Sequence, residues 1–520
     1  MSRPAADGSY RPVTCVPVSL AEQGDGAGRR AAETFESTAP ASGAVVGVFP
    51  VQDAEDVRAA VDRARAAARA WADLGFDGRR TRLAAYRGHL ARRVHELADL
   101  VHRENGKPHA DAILEITLTV DHLAWAATHA RKVLGPRRVR PGLLAANHAA
   151  WLEYQPLGVV GVIGPWNYPV FTPMGSIAYA LAAGNAVVFK PSEHTPAVGV
   201  WLAEAWRAAV PDVPDALQVV TGLGDTGAAL CRAGVGKLAF TGSAPTGREV
   251  MAACAETLTP VLMELGGKDA MIVDDDADVA AAADAAVWGA MSNAGQTCIG
   301  IERVYATERV YDAFVAEVTE RVRGLRPGTD DDAAYGPMTM AAQTDVVRRH
   351  VDDAVASGGR IAAGGTVEGR LVAPTVLLDV PETSAAVREE TFGPTLTITR
   401  VRDAEEALER TNANAHGLAG AVFSRSRARA MDLARRMRSG MTSVNSVLTF
   451  ASVPALPFGG VGESGFGRIH GEDGLREFTR AKAITRRRVA LPVDLMSFTR
   501  PAAAADALAR VVGLVHGRHR

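Results

Sequence analysis

Between Gly158 and Leu265 five short apolar runs, at residues 159–163, 186–189, 217–220, 238–240 and 261–265, alternate with stretches of helical length. Runs this short, without polar alternation, suit strands buried on both faces of a sheet, and a helix-length connection returns the chain parallel to the strand it left. The pattern predicts a doubly wound α/β domain. A second α/β stretch is expected over residues 266–479, with helices after Asp275 and Asp276 and around 403–408. At 520 residues the chain exceeds what one core organises, so more than one domain is expected.

Ahead of the first run, Val57, Val61, Ala64, Ala68 and Trp71 follow Asp53 at spacings of four and three, one stripe of an amphipathic helix. More helix is expected to about Leu134. There Gly135-Pro136 breaks it before a strand-like stretch ending near Pro156. Residues 1–30, rich in Gly, Ala, Arg and Pro without periodicity, read as a poorly ordered tail. The acidic run from Asp274 to Asp278 reads as helix capping rather than a cation site.

With 57 basic and 59 acidic residues interspersed, the net charge of -2 implies no field that would gather nucleic acid or an anionic membrane. Cys15, Cys231, Cys254 and Cys298 show no paired spacing and no histidine partners at zinc spacing, so neither a metal nor a disulfide framework is expected. No signal-peptide core and no run of membrane-spanning length is seen, and the chain reads as soluble and cytoplasmic, without stable membrane insertion.

Two residues carry candidate chemistry. Cys298, in Asn293-Ala-Gly-Gln-Thr-Cys298-Ile-Gly, is flanked by small residues that leave a thiol accessible, although a lone cysteine is more often an inert buried hydrophobe. Glu264 interrupts an apolar strand end in Val261-Leu-Met-Glu264-Leu-Gly-Gly-Lys268. A carboxylate left unpaired there has a raised pKa, as a general base requires; the bland alternative is a paired structural carboxylate.

Both segments resemble the active-site signatures of the aldehyde dehydrogenase superfamily. The resemblance extends from about Glu36 to Thr485 through Glu104-Asn-Gly-Lys-Pro108, Gly164-Pro-Trp-Asn-Tyr-Pro169, Lys190-Pro-Ser-Glu193, Phe240-Thr-Gly-Ser243, Glu390-Thr-Phe392-Gly-Pro394 and Pro457-Phe-Gly-Gly460. It implies a Rossmann-like cofactor domain (31–134 and 155–265), an α/β catalytic domain (266–480) and a small oligomerisation domain of strands (135–154 and 481–495). Residues 496–520 are left as a tail or helix. It further implies a homodimer or homotetramer, the two strand segments pairing across subunits.

The resemblance also implies that Cys298 attacks an aldehyde. Asn167 and the backbone N–H of Cys298 then hold the oxyanion, where one donor is typically worth ~3 kcal/mol. Hydride passes to NAD, or possibly NADP, and Glu264 activates the water that hydrolyses the thioester. Lys190 and Glu193 are expected at the adenosine ribose, where a carboxylate favours NAD over NADP. Gly242, Ser243 and Gly247 form a phosphate-facing turn into a helix. Glu390 grips the nicotinamide ribose, Phe392 packs by the ring, and Trp166 joins the cofactor set. Tyr168, Phe171, Thr297, Ile299 and Phe450 are expected around the substrate. No Lys or Arg occurs in 164–189 or 445–457, which points to an apolar aliphatic or aromatic aldehyde over a semialdehyde acid. Succinate-semialdehyde dehydrogenase, a coenzyme A-acylating enzyme and an inactive structural homologue are the alternatives, the second disfavoured by Glu264 and the third by retention of Cys298, Glu264 and Asn167. Leu508, Val511, Val512 and Val515 predict an apolar face on a C-terminal helix, packed on its own or a neighbouring subunit, with a membrane the less favoured neighbour.

Overall fold

The computed structural model describes residues 33–330 and 332–517; the expected N-terminal tail lies outside the described residues. The five apolar runs form strands Val159–Ile163, Ala186–Lys190, Leu217–Val219, Lys237–Thr241 and Val261–Glu264, all parallel. They lie in one sheet, ordered from Val261–Glu264 through Lys237–Thr241, Val159–Ile163 and Ala186–Lys190 to Leu217–Val219. The strand order reverses beside Val159–Ile163, and open α/β sheets offer a ligand crevice at the carboxyl ends of strands at such a point.

Helices cover this sheet because their apolar stripes demand it. Helix Ala54–Asp73 starts at Asp53, whose carboxylate accepts from the backbone N–H groups of Glu55 and Asp56. It buries Val57, Val61, Ala64, Ala68 and Trp71, the expected stripe. Trp71 lies edge-on to Trp206, 5.4 Å between centroids, and donates its indole N–H to the Leu181 carbonyl. Helix His109–Leu134 runs on to the predicted break.

A second sheet of seven strands forms from the later half of the chain, in the order Arg360–Ala363, Thr375–Leu378, Thr395–Val401, Ile301–Thr307, Asp269–Val273, Gly420–Phe423, Ser443–Val444. The acidic run caps through its last member, two residues past Asp276: Asp278 accepts from Ala281 N–H ahead of helix Val279–Met291. Asp276 instead takes the N–H groups of Arg425 and Ser426, and Asp274 pairs with Arg429 at 2.8 Å.

The two sheets share chain. Gly465–Phe466 pairs antiparallel with Val261–Glu264, closing the edge of the first sheet with residues from beyond the second. The segments expected to pair between subunits pair within one chain: Thr479–Arg487 runs antiparallel to His148–Pro156, which is flanked on its other edge by Arg137–Val139. The residues of His148–Pro156 are half-buried, and both outer strands are largely exposed. Helix Ala502–His516 forms where the apolar face was read, but none of its residues is buried, so it does not pack into its own subunit as a core helix would.

Candidate active site

Glu264 ends its strand at the carboxyl edge of the first sheet and begins the connection to the second. Gly266 and Gly267 follow, and a side chain at either would collide: a Cβ at Gly266 would stand 2.3 Å from a Glu390 oxygen, and one at Gly267 2.5 Å from the Cys298 carbonyl. The two glycines let Glu390 and the cysteine segment close in. Glu390 accepts from the Gly267 N–H at 2.9 Å.

Cys298 is placed by an unusual backbone. Asn293, Ala294 and Gly295 are all left-handed, with φ of 53°, 55° and 69°. The conformation costs a non-glycine residue of order 1 kcal/mol and persists only where surroundings impose it. Here Asn293 donates its amide to the carbonyls of Asn167 and Gln296, and Gln296 donates back to the Asn293 carbonyl. Asn167 itself donates to the Gln296 carbonyl at 2.9 Å, with its other amide N–H remaining. Asn167 is thereby bound to the cysteine turn.

Two buried ion pairs brace the site. Lys107 bonds Glu115 at 2.6 Å and also donates to the Asn167 carbonyl at 2.8 Å, while Glu115 accepts from the backbone N–H groups of Val170 and Phe171. Lys268 contacts Glu302, whose carboxylate accepts from the N–H groups of Thr391 and Phe392. Burial opposes the Glu302 charge, but Lys268 and these donors hold its pKa below the usual carboxylate value. Glu115 and Glu302 were not singled out in the sequence: a carboxylate inside a helix or strand carries no local signal of its partner. Arg303, part of the cysteine signature, is structural, its guanidinium donating twice to the Lys268 carbonyl.

A cavity of about 810 Å³ opens here, walled by Cys298, Glu264, Asn167 and Trp166 and, further along, by Lys190, Glu193, Gly242, Ser243, Glu390 and Phe392. Trp166 and Phe392 meet edge to face at 5.5 Å. Ser243 caps helix Ala244–Ala255, accepting from Thr246 N–H, so a helix N-terminus opens on the cavity. A Cβ at Gly242 would come within 2.6 Å of the Phe240 ring. Lys190 is buried with its ammonium 3.9 Å from Glu193, and burial lowers its pKa.

One expectation needs correction. Gly247 is not on this wall: it is buried, and a Cβ would meet Leu265 at 2.8 Å, so it serves helix–strand packing. The residues expected around the substrate are separate from this wall. Phe171, Ile299 and Phe450 belong to one apolar cluster, against which Tyr168 and Cys298 pack, and Tyr168 and Thr297 share a hydroxyl hydrogen bond of 3.0 Å. Conversely Ser192, Gly224 and Thr246 line the wall without having been marked.

The electrostatics of the cavity are those of crowded, desolvated acids. Burial, with Glu390 and Asp269 nearby, pushes the Glu264 carboxyl well above its ordinary value, and neither of its oxygens has a hydrogen-bond partner. Burial and the charges of Glu264, Glu390 and Asp269 likewise push the Cys298 thiol up. Burial also raises Glu390 and Asp269, each to about 8.

The sequence matches the aldehyde dehydrogenase family over residues 28–484. The chain belongs to the aldehyde dehydrogenase family. It is 37% identical to the 4,4'-diapolycopene aldehyde oxidase of a Methylomonas species over 464 residues, 89% of this chain and 87% of that one. It is 38% identical to a putative NADP-dependent succinate-semialdehyde dehydrogenase of Mycolicibacterium smegmatis, over 85% of this chain and 86% of that one. Among solved structures, PnpE in complex with nicotinamide adenine dinucleotide superposes with a TM-score of 0.84 at 32% identity, covering 88% of this chain and 95% of that one. The fold is thus that of an NAD(P)-dependent aldehyde dehydrogenase, and the helix N-terminus, the close glycine and the ribose-sized carboxylates fit a dinucleotide.

The buried acids of this aldehyde dehydrogenase set a stability profile. Glu104 at about 7 and Asp269 and Glu390 at about 8 are raised in the folded chain, so the stability they contribute is full at low pH and lost as pH rises through those values. His122, lowered by burial to about 4, and His470, held by burial well below the usual histidine value of about 6.5, contribute stability that is present above about 6.5 and lost below it. The thermal midpoint should therefore decline from about pH 6.5 to about pH 8, and Glu104→Gln should shallow that slope; a midpoint rising over this window in calorimetry would contradict the assignment.

Proposed function

We propose that the protein oxidises an apolar aldehyde to its carboxylic acid through a covalent adduct on Cys298, with release of the acyl group to water. The observation that carries this reading is Glu264, a buried carboxyl with two unpartnered oxygens on the wall it shares with Cys298 and Asn167. Burying such a group costs free energy unless function retains it.

Burial, Glu390 and Asp269 raise Glu264, and burial with the Glu264 charge raises Cys298, so the two do not both ionise cheaply and the reacting form is the one with Glu264 ionised and the thiol protonated. When an aldehyde enters, the thiol proton passes to Glu264 and sulfur bonds to the carbonyl carbon. The developing oxyanion is met by the free N–H of the Asn167 amide and by the Cys298 backbone N–H. Lys190 and Glu193 would hold the adenosine ribose of NAD(P), Gly242 and Ser243 its pyrophosphate, and Glu390, Phe392 and Trp166 its nicotinamide end; when bound, the group would supply the hydride acceptor. The acyl group is then a thioester on Cys298. Glu264 releases the thiol proton to solvent and then takes a proton from water as that water attacks; it passes this proton to the departing sulfur, which leaves as the thiol, and the acid departs. Cys298→Ala should abolish NADH formation. Glu264→Gln should give one burst of NADH followed by slow turnover, and full steady-state rate in either variant would refute the assigned role.

The acyl pocket is assigned to Tyr168, Phe171, Thr297, Ile299 and Phe450. The nearest cation, Lys107, stands 3.9 Å from the Tyr168 ring but is spent on Glu115, and burial keeps His122 and His470 neutral. Nothing there neutralises a second carboxylate. In steady-state assays kcat/KM should be higher for hexanal or benzaldehyde than for succinic semialdehyde; the reverse order would favour the activity for which the Mycolicibacterium relative is named. The carboxylate of Glu193 disfavours a 2′-phosphate, so the same assay should prefer NAD, and Glu193→Gln should narrow the preference; a preference for NADP would overturn it.

We assign the protein to the cytoplasm, where Cys231, Cys254 and Cys298, free among the described residues, stay reduced. We also infer a homodimer or homotetramer, built through the half-covered sheet of Arg137–Val139, His148–Pro156 and Thr479–Arg487 beside a catalytic unit at 266–480 and a cofactor unit at 31–134 and 155–265. A small antiparallel sheet with neither face packed needs a neighbour. Light scattering should give a multiple of the 54.6 kDa chain, and a monomer mass would dispose of the inference.

A further inference from the structure

The loop of residues 445–457, which carries Phe450, is tied to two helices from the first half of the chain. Around Phe450 the N–H groups of Ala451, Val453 and Leu456 bond the carbonyls of Leu448, Phe450 and Val453, all inside the loop. The backbone also takes a costly path, with Asn445 and Leu448 left-handed at φ of 51° and 60°. Two side chains reach in from outside. His122 of helix His109–Leu134 bonds the Ala451 carbonyl through Nε2 at 2.9 Å, and Tyr179 of helix Phe171–Ala183 donates to the Pro454 carbonyl at 3.2 Å. A carbonyl oxygen only accepts, so His122 carries its proton on Nε2. Its Nδ1 then has no partner, and neither has Nε2 of His470, whose ring lies 4.0 Å away; both rings are buried. Stranded polar atoms of this kind cost free energy that an apolar side chain at 122 would avoid. The His470 nitrogen is sealed by backbone, since a Cβ on Gly175 would stand 2.7 Å from it, which leaves no room for a ligand there.

We propose that His122 is a positioning residue for the chain of the aldehyde: its bond to the Ala451 carbonyl holds the Thr449–Ser452 turn, and with it the Phe450 ring, at the acyl pocket. The inference rests on the acyl pocket assigned above. His122 meets that pocket twice. Its ring stands edge-on to Phe171, 5.2 Å between centroids and 89° between planes, while its Nε2–H reaches the residue after Phe450. Phe171 and Phe450 are buried in one apolar cluster, against which Cys298 packs. His470 backs the arrangement, with ring centroids 5.4 Å from Phe171 and 5.5 Å from Phe458, and it too is left-handed, at φ 62°. A thioether or aliphatic side chain at 122 would fill the volume of the imidazole and leave the Ala451 carbonyl, and the turn, unheld. An acyl chain long enough to touch Phe450 would feel that loss, and a two-carbon aldehyde would not.

The test compares His122→Met, which fills the space without a donor, with His122→Gln, whose amide N–H can reach the same carbonyl. In NADH-formation assays of the full chain, the ratio of kcat/KM for hexanal to that for acetaldehyde should fall about fivefold in His122→Met, the loss lying in KM, and stay near the wild-type value in His122→Gln. Phe450→Ala should lower the same ratio, and adding His122→Met to it should lower it no further, because His122 acts through that ring. Equal losses on both aldehydes, a Gln variant as poor as the Met variant, or additive losses in the double variant overturn the proposal. Hydrogen exchange at the amides of Ala451 and Val453 reads the anchor with no aldehyde present: it should quicken about fivefold in His122→Met and not in His122→Gln. Unchanged exchange in the Met variant overturns the proposal whatever the substrate. Quickened exchange in a protein whose wild type does not oxidise hexanal faults the choice of aldehyde and leaves the anchor standing.

Discussion

The contact of Lys268 with Glu302 holds the catalytic half of the molecule together. Lys268 closes the glutamate signature, Glu302 follows Cys298 by four residues, and the Glu302 carboxylate takes the backbone N–H groups of Thr391 and Phe392. Three segments far apart in the chain, bearing Glu264, Cys298 and Glu390, are thereby fixed to a few atoms. Both partners are buried. Removing either would strand a charge where water cannot reach it, which is a larger loss than the pair gains over an apolar substitute. The pair's value lies in geometry.

The same economy explains why the site is rich in acids whose pKa values are raised. Glu264, Glu390 and Asp269 lie in one desolvated region; burial raises all three, Asp269 adds to the rise of Glu390, and both add to that of Glu264. A thiol in such a place is a poor spontaneous nucleophile, since burial and these charges hold its proton on. In the proposed reaction such an arrangement keeps Cys298 quiet until Glu264 takes the proton.

Much of this was legible in the sequence, for physical reasons. Strands buried on both faces must be apolar throughout, so 159–163 and its four partners declared themselves, and the stripe ending at Trp71 did so through its helical period. Glu264 and Cys298 were conspicuous as polar groups in apolar or small-residue surroundings. What escaped was long-range. Glu115 sits 8 residues from Lys107, yet its task is to hold the backbone of Val170 and Phe171, some 55 residues on. The left-handed turn at Asn293 and Ala294 contradicts local preference and is imposed by Asn167 from another element. Gly247 looked like a phosphate glycine because its spacing matched; only the position of Leu265 shows that it makes room for a strand.

The short strand Gly465–Phe466 pairs beside Glu264 itself, Gly465 opposite Glu264 and Phe466 opposite Met263. The chain leaves the first sheet at Glu264, builds the whole of the second, and returns to hydrogen-bond to the very residue it left from. Such a closed circuit makes the cleft a buckle instead of a hinged jaw: it cannot gape without unzipping a β-ladder next to the base. Substrate and cofactor must then thread in and out through openings that exist while the lobes stay joined, and turnover would be paced by passage and side-chain rearrangement, not by the swing of one lobe against the other.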